Sequence, residues 1–147
     1  MKIKNTIEIN AAAEVVFGWL ENPNRAMEWM TSVAKAEIIE ETPDLVGTTF
    51  REYIEENGKG TEMRGVITAC DKNARLAFHL EGDFNTVDVA FTLVGSGNTV
   101  RLTQTADIRF KGLVKVMSIV FAPAFGKKIL KQSREEFARL KELCESS

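Results

Sequence analysis

LVKVMSIVFAPAFGKKILKQSREEFARLKELC (113–144) is the stretch that decides the fold. It reads as one long helix, interrupted once at Pro123, that arrives after an unbroken series of strands. If helical throughout it spans roughly 48 Å at 1.5 Å per residue. Pro123 removes an internal hydrogen bond, so a kink or a short break is predicted there. The first half, 113–126, is more apolar than a surface helix needs to be. In the second half Ile129, Ser133, Phe137, Leu140 and Cys144 fall on one face, with Lys and Glu opposite. A long helix laid over a curved sheet can bury one end tightly and leave a hollow at the other. The segment therefore suggests a ligand container, gripped by the second half and walled by the first.

Upstream of it, from 33 to 109, the apolar pattern has period two. Strands are predicted at about 34–42, 47–57, 60–71, 74–82, 84–95 and 98–110. The breaks between them carry turn chemistry: Asn57-Gly58 and Gly60, Asp71-Lys72-Asn73, Gly82-Asp83, and Gly95-Ser96-Gly97-Asn98. Breaks this short join antiparallel neighbours, because a parallel crossover needs a dozen or more residues. A further strand is predicted over 3–10, where Ile3, Ile7 and Ile9 alternate with polar residues. Asn10, with Glu14, is the expected N-cap of a helix carrying Val15, Val16, Trp19 and Leu20. Asn22-Pro23-Asn24 stops that helix, and Pro23 opens a second short one ending near Met30. The order is strand, two short helices, six strands, long helix: an α+β architecture, read as a single domain over 1–147.

Composition excludes several classes of function. A chain of 147 residues, 27% charged and 44% apolar, has the balance of an ordinary globular domain. Its net charge of −2 lacks the basic footprint of a nucleic-acid binder, so no nucleic-acid partner is expected. Cys70 and Cys144 are too few and too far apart for a disulfide framework and read as reduced thiols of a cytoplasmic protein. Residues 1–10 alternate and lack the apolar run of a signal peptide. Lys115, Lys127 and Lys128 break the best candidate for a membrane span.

IEINAAAEVVFGWLENPNRAMEWM (7–30) resembles the opening of the START-like, helix-grip superfamily, also called SRPBCC, and within it the polyketide cyclase/dehydrase branch. The shared features are a strand (Ile7–Asn10), a small-residue turn (Ala11–Ala13), Val16-Phe17, Asn22-Pro23 and then Trp29. Val46-Gly47-Thr48-Thr49-Phe50, Ala74-Arg75-Leu76-Ala77-Phe78 and Gly97-Asn98-Thr99-Val100-Arg101-Leu102-Thr103 echo it further on. Ala12 stands where members usually have a proline, and Lys72-Asn73 where they have a Pro-Pro turn. The resemblance implies a seven-stranded sheet gripping the C-terminal helix around a cavity. It implies no shared catalytic residue, because such folds serve enzymes, lipid carriers and receptors.

Strand alternation assigns faces. Phe50, Glu52 and Ile54 are read as inward, which aims Glu52 into an apolar hollow; with the opposite parity it is a solvated surface acid. Met63, Gly65, Ile67 and Ala69 follow on the next strand, then Leu76, Phe78 and Leu80, and Val87, Val89, Phe91 and Leu93. Leu102, Gln104, Ala106 and Ile108 face inward on the last. A buried polar group costs roughly 1–3 kcal/mol if unpaired, so Gln104 and Glu52 need a partner: a ligand, or a neighbouring side chain or buried water. Trp29, Met30, Met117, Val120, Phe121 and Phe125 complete the candidate lining, with plain core packing as the alternative for each.

His79, the only histidine, excludes a two-histidine site and is placed on the surface by parity. No nucleophile elbow, P-loop or dinucleotide fingerprint is present, so no metal and no cofactor is expected. Lys127, Lys128, Lys131 and Arg134 form a basic patch that is a solvated helix face or, beside the apolar 113–126 segment, a contact for an anionic membrane. Three readings remain open. The first is binding or transport of a small hydrophobic, lipid- or polyketide-like molecule. The second is a cyclase/dehydratase-type enzyme with Glu52 as buried acid, and the third a membrane-surface or partner-binding module.

Overall fold

The computed structural model describes residues 1–56 and 58–146, without the side chains of Glu56, Lys59, Ser118, Val120, Phe121 and Ala122. The elements are β1 (Lys2–Ile9), α1 (Ala13–Glu21), α2 (Pro23–Trp29), β2 (Val33–Glu40), β3 (Thr49–Glu56), β4 (Lys59–Asp71), β5 (Arg75–Glu81), β6 (Asn85–Ser96), β7 (Thr99–Phe110) and α3 (Gly112–Glu145). The strands form one seven-stranded antiparallel sheet in the order β1-β7-β6-β5-β4-β3-β2. From β2 to β7 this is a meander, and β1 closes the far edge by pairing with β7 from Lys2↔Asp107 to Ile9↔Val100. The predicted α+β helix-grip architecture is the one observed.

Caps and turns place the helices. Asn22 caps α2 by accepting from the Asn24 N–H at 3.0 Å, with Pro23 in the first helical position, where its missing N–H costs nothing. The expected Asn10 cap on α1 does not form. The N-cap is Ala12, with no side-chain cap bond, and the Asn10 N–H instead donates to Glu145 Oε2 at 2.9 Å. Asn10 lies two residues too early in the turn to reach the first free amides of α1. Gly112, at φ +61°, turns the chain from β7 into α3 through backbone space that a side chain would strain. The helix then continues through Pro123 with no break. Proline removes one bond there on a solvent-exposed turn, where water can satisfy the carbonyl left over.

The core lies between the concave face of the sheet, α1, α2 and the second half of α3. Phe137, Leu140 and Cys144 are buried with Ile9, Val16, Phe17, Leu102 and Val100. Each large apolar side chain so buried contributes about 1.5–3 kcal/mol of transfer free energy. An aromatic chain runs through this core. Phe50 meets Phe78 at 5.7 Å, Phe78 meets Phe91 at 6.0 Å, and Phe91, Phe137 and Trp29 pack mutually at 6.2–6.4 Å.

One predicted face is reversed by a bulge. β4 and β5 pair as Ile67↔Phe78 and then Ala69↔Ala77, so Thr68 is an extra residue. Beyond it the alternation shifts by one, and Cys70, not Ala69, packs against the core. Among the described residues no helix is long and apolar enough to cross a membrane.

Candidate functional site

A cavity of about 50 Å³ lies between α1–α2 and strands β3 to β6. Leu20, Glu21, Pro23, Ala26, Trp29 and Met30 form its helical wall; Phe50, Glu52, Ile67, Leu76, Phe78 and Phe91 form its sheet wall. The sheet wall exists because β3 is free of irregularity between Phe50 and Ile54, so strict alternation sends Phe50 and Glu52 to the same side. Gly65 sits directly opposite Phe50, and a Cβ there would strike the Phe50 ring. Its absence lets that ring lie across β4 into the core.

Besides the half-buried Glu21, two polar groups stand on this wall. Glu52 is 7% exposed, and no group among the described residues hydrogen-bonds its carboxylate. Burial, with a smaller contribution from the charge of Glu136, pushes its pKa up to about 7. Trp29 is 3% exposed, and its indole Nε1–H has no hydrogen-bond partner.

Glu136 was not singled out from sequence. It projects from the buried face of α3, and burial raises its pKa against the opposing pull of its partners. It accepts from Gln132 Nε2 at 2.8 Å, from Thr31 Oγ1 at 3.2 Å and from the Thr31 N–H at 3.3 Å. The spacing held the signal: Glu136 lies three residues after Ser133 and four before Leu140, on the stripe that buries both. Thr31 and Gln132 also line a surface groove of about 320 Å³ with Lys128 and Lys131, so the buried acid lies just beneath that opening.

Of the residues proposed from sequence, Trp29, Met30, Phe50, Glu52, Phe78 and Phe91 meet at the cavity. Met63 is buried in the core but is not on the cavity wall. Gln104 is spoken for, since its Oε1 accepts from Ser133 Oγ at 2.7 Å. Met117 is 59% exposed, and Phe125, 43% exposed, packs edge-on against Phe110 at 5.8 Å; neither borders the cavity. The side chains of Phe121 and Val120 lie outside the described residues. The first half of α3 thus presents Leu113, Val116, Met117 and Ile119 to solvent, and the cavity wall comes from α1–α2 instead. Ile67 and Leu76, read as inward from strand alternation, are on the wall as well, whereas Leu20, Glu21, Pro23 and Ala26 are wall residues that sequence reading did not propose.

His79 is on the outer face of the sheet, where its Nδ1 lies 2.7 Å from Asp88 Oδ1. That face also carries a groove of about 560 Å³, larger than the internal cavity and bordered by Lys2, Lys4, Arg75, Asp88 and Asp107. Charges of both signs along it make it a poorer match for an apolar ligand than the smaller, aromatic-walled cavity beneath α1–α2. No cluster of metal-binding side chains occurs among the described residues.

Residues 1–145 match the family model described as polyketide cyclase/dehydrase and lipid transport. A comparison with curated protein sequences finds no match. Among solved structures, TTHA0849 of Thermus thermophilus superposes with a TM-score of 0.82 at 16% identity, covering 98% of this chain and 97% of that one. A START superfamily protein of Mycobacterium smegmatis gives 0.73 at 18% identity, over 99% and 94% of the two chains. The Zhui aromatase/cyclase of Streptomyces sp. R1128 gives 0.81 at 14% identity, over 99% and 93%. At such identities the structural likeness establishes the fold.

Proposed function

The chain belongs to the polyketide cyclase/dehydrase and lipid transport family, and from that premise we propose that it binds a small hydrophobic molecule between α1–α2 and the sheet. The observation that carries this reading is an aromatic wall of Trp29, Phe50, Phe78 and Phe91 that also holds the unpartnered indole N–H of Trp29 and the buried Glu52 carboxyl. A core built only for stability gains nothing from leaving such groups unsatisfied.

At about 50 Å³ the cavity holds water-sized molecules, whereas ligand-filled pockets run from roughly 300 to 1,000 Å³. Binding therefore widens it. The yielding wall is α2, a seven-residue helix whose polar ties to α3 among the described residues are Arg139 Nε to the Glu28 carbonyl at 3.3 Å and the Thr31–Glu136 bonds just beyond its end. Native mass spectrometry after gentle purification, and displacement of a lipophilic fluorescent probe, test the reading. A co-purifying or displaceable apolar ligand supports it; a chain that carries nothing and takes up no probe contradicts it.

A second reading follows from Glu52 itself. A carboxyl whose pKa burial lifts to about 7 in an apolar pocket is poised as a general acid or base, as cyclisation and dehydration require. If Glu52→Gln leaves turnover of a polyketide-like substrate unchanged, this reading fails.

A further inference from the structure

Trp29 Nε1–H is buried with no hydrogen-bond partner, no hydrogen bond among the described residues reaches the Glu52 carboxyl, and the two groups are of opposite hydrogen-bonding type. The Trp29 indole N–H can only donate, while the Glu52 carboxylate accepts. Leaving either unsatisfied costs free energy that an apolar neighbour would not. A single ligand atom that accepts one hydrogen bond and donates another relieves both, and a hydroxyl oxygen does this. A hydrocarbon relieves neither. An ammonium group could satisfy Glu52 but brings nothing for the indole to donate to.

The charge around the cavity narrows the class further. The buried polar and charged side chains of the described residues are Thr48, Glu52, Ser133 and Glu136, with no lysine or arginine among them. An anionic headgroup drawn into this cavity would meet the Glu21 and Glu52 carboxyls on its wall and no lysine or arginine there, and a buried unpaired charge is strongly unfavourable.

We infer that the cavity selects a neutral, hydroxyl-bearing apolar molecule, a phenol, enol or alcohol, whose hydroxyl accepts from Trp29 Nε1–H and donates to Glu52. The inference rests on the proposed ligand-binding function of the same cavity. It excludes fatty acids and other carboxylate lipids as the preferred cargo, which the bare family assignment does not.

Three ligands of one shape separate the possibilities: naphthalene, 2-naphthol and 2-naphthoate, each titrated into the full chain with tryptophan fluorescence as the readout. The expected order is 2-naphthol tightest, naphthalene about tenfold weaker, since each neutral hydrogen bond contributes a factor of a few, and 2-naphthoate weakest. Trp29→Phe and Glu52→Leu should each narrow the ratio of 2-naphthol to naphthalene affinity, whatever either does to naphthalene binding itself, the Trp29→Phe titration being followed by calorimetry. Far-ultraviolet circular dichroism and the urea midpoint of each variant show that it is folded. If naphthalene and 2-naphthol bind equally, or the gap survives both substitutions, the hydroxyl assignment is wrong while the ligand-binding reading stands. If 2-naphthoate binds tightest, the charge argument is wrong. If none of the three binds, the ligand-binding reading itself falls.

Discussion

Ser133 Oγ on α3 donates a 2.7 Å hydrogen bond to Gln104 Oε1 on β7, and the same hydroxyl accepts from Asn5 Nδ2 on β1 at 3.2 Å. This is where the long helix is tied by side chains to both strands beneath it. It occupies the inward position of Gln104 that the alternation of β7 demands, so the polar side chain serves the grip and not the cavity. Replacing Ser133 with Ala leaves Gln104 and Asn5 without that partner in a half-buried site. The expected loss of stability is about 1–3 kcal/mol, read from the urea midpoint, with affinity for a cavity ligand unchanged. A loss of affinity without a loss of stability would move Gln104 back into the binding site.

Stability should fall as pH rises through the range of Glu52. Its folded pKa of about 7 lies above the ordinary value of 4.5, so the folded state holds the proton more tightly than the unfolded chain. The resulting stabilisation is complete below about pH 4.5 and is lost as pH rises through 7, on the order of 3 kcal/mol across the interval. Glu136, also raised by burial, acts in the same direction. Denaturation at pH 5 and pH 8 measures the difference, and Glu52→Gln should remove most of it. A wild-type chain that is more stable at pH 8 would contradict the burial of Glu52.

Gly65 to Ala is expected to be costly for a surface-sized change. The added methyl meets the Phe50 ring across the β3–β4 pair and forces it toward the cavity. Overpacking of this kind costs about 1–3 kcal/mol. The variant should also lose ligand affinity, because the displaced ring enters the space the ligand needs; a fully stable variant with unchanged affinity would show that Phe50 can turn elsewhere.

The thiols should differ in reactivity. Cys144 is buried on the inner face of α3, and burial pushes its pKa up to about 12, so little thiolate exists at neutral pH. Cys70 is half-buried and more accessible. Mass-spectrometric counting of iodoacetamide adducts should find label at Cys70 first, and at Cys144 only once the chain is unfolded. Equal native labelling would mean that the end of α3 is not docked as described.

What was legible in the sequence follows the physics of each element. Alternation correctly placed Phe50 and Glu52 because β3 runs without irregularity between them. It failed at Ala69 because the bulge at Thr68 is a pairing event between β4 and β5, and threonine is an ordinary strand residue with no local sign of it. The apolar content of 113–126 was visible, but the exposure of Leu113, Val116, Met117 and Ile119 was not. Leu113 is 85% exposed because the sheet grips α3 through Ser133, Phe137, Leu140 and Cys144, beyond the reach of the first turns. Trp29 was legible as a wall residue from its place after the Asn22-Pro23 turn. That its N–H would lack a partner depends on packing from β6 and α3, which no local pattern encodes.

The central claim is that an apolar molecule enters the cavity between α1–α2 and the sheet. The two indole N–H resonances of ¹⁵N-labelled protein test it most directly, because Trp29 borders the cavity and Trp19, stacked under the Arg25 guanidinium at 4.5 Å, does not. Titration with naphthalene should shift the Trp29 signal saturably and leave that of Trp19 in place. A Trp29 signal that does not move at saturating ligand would contradict the account.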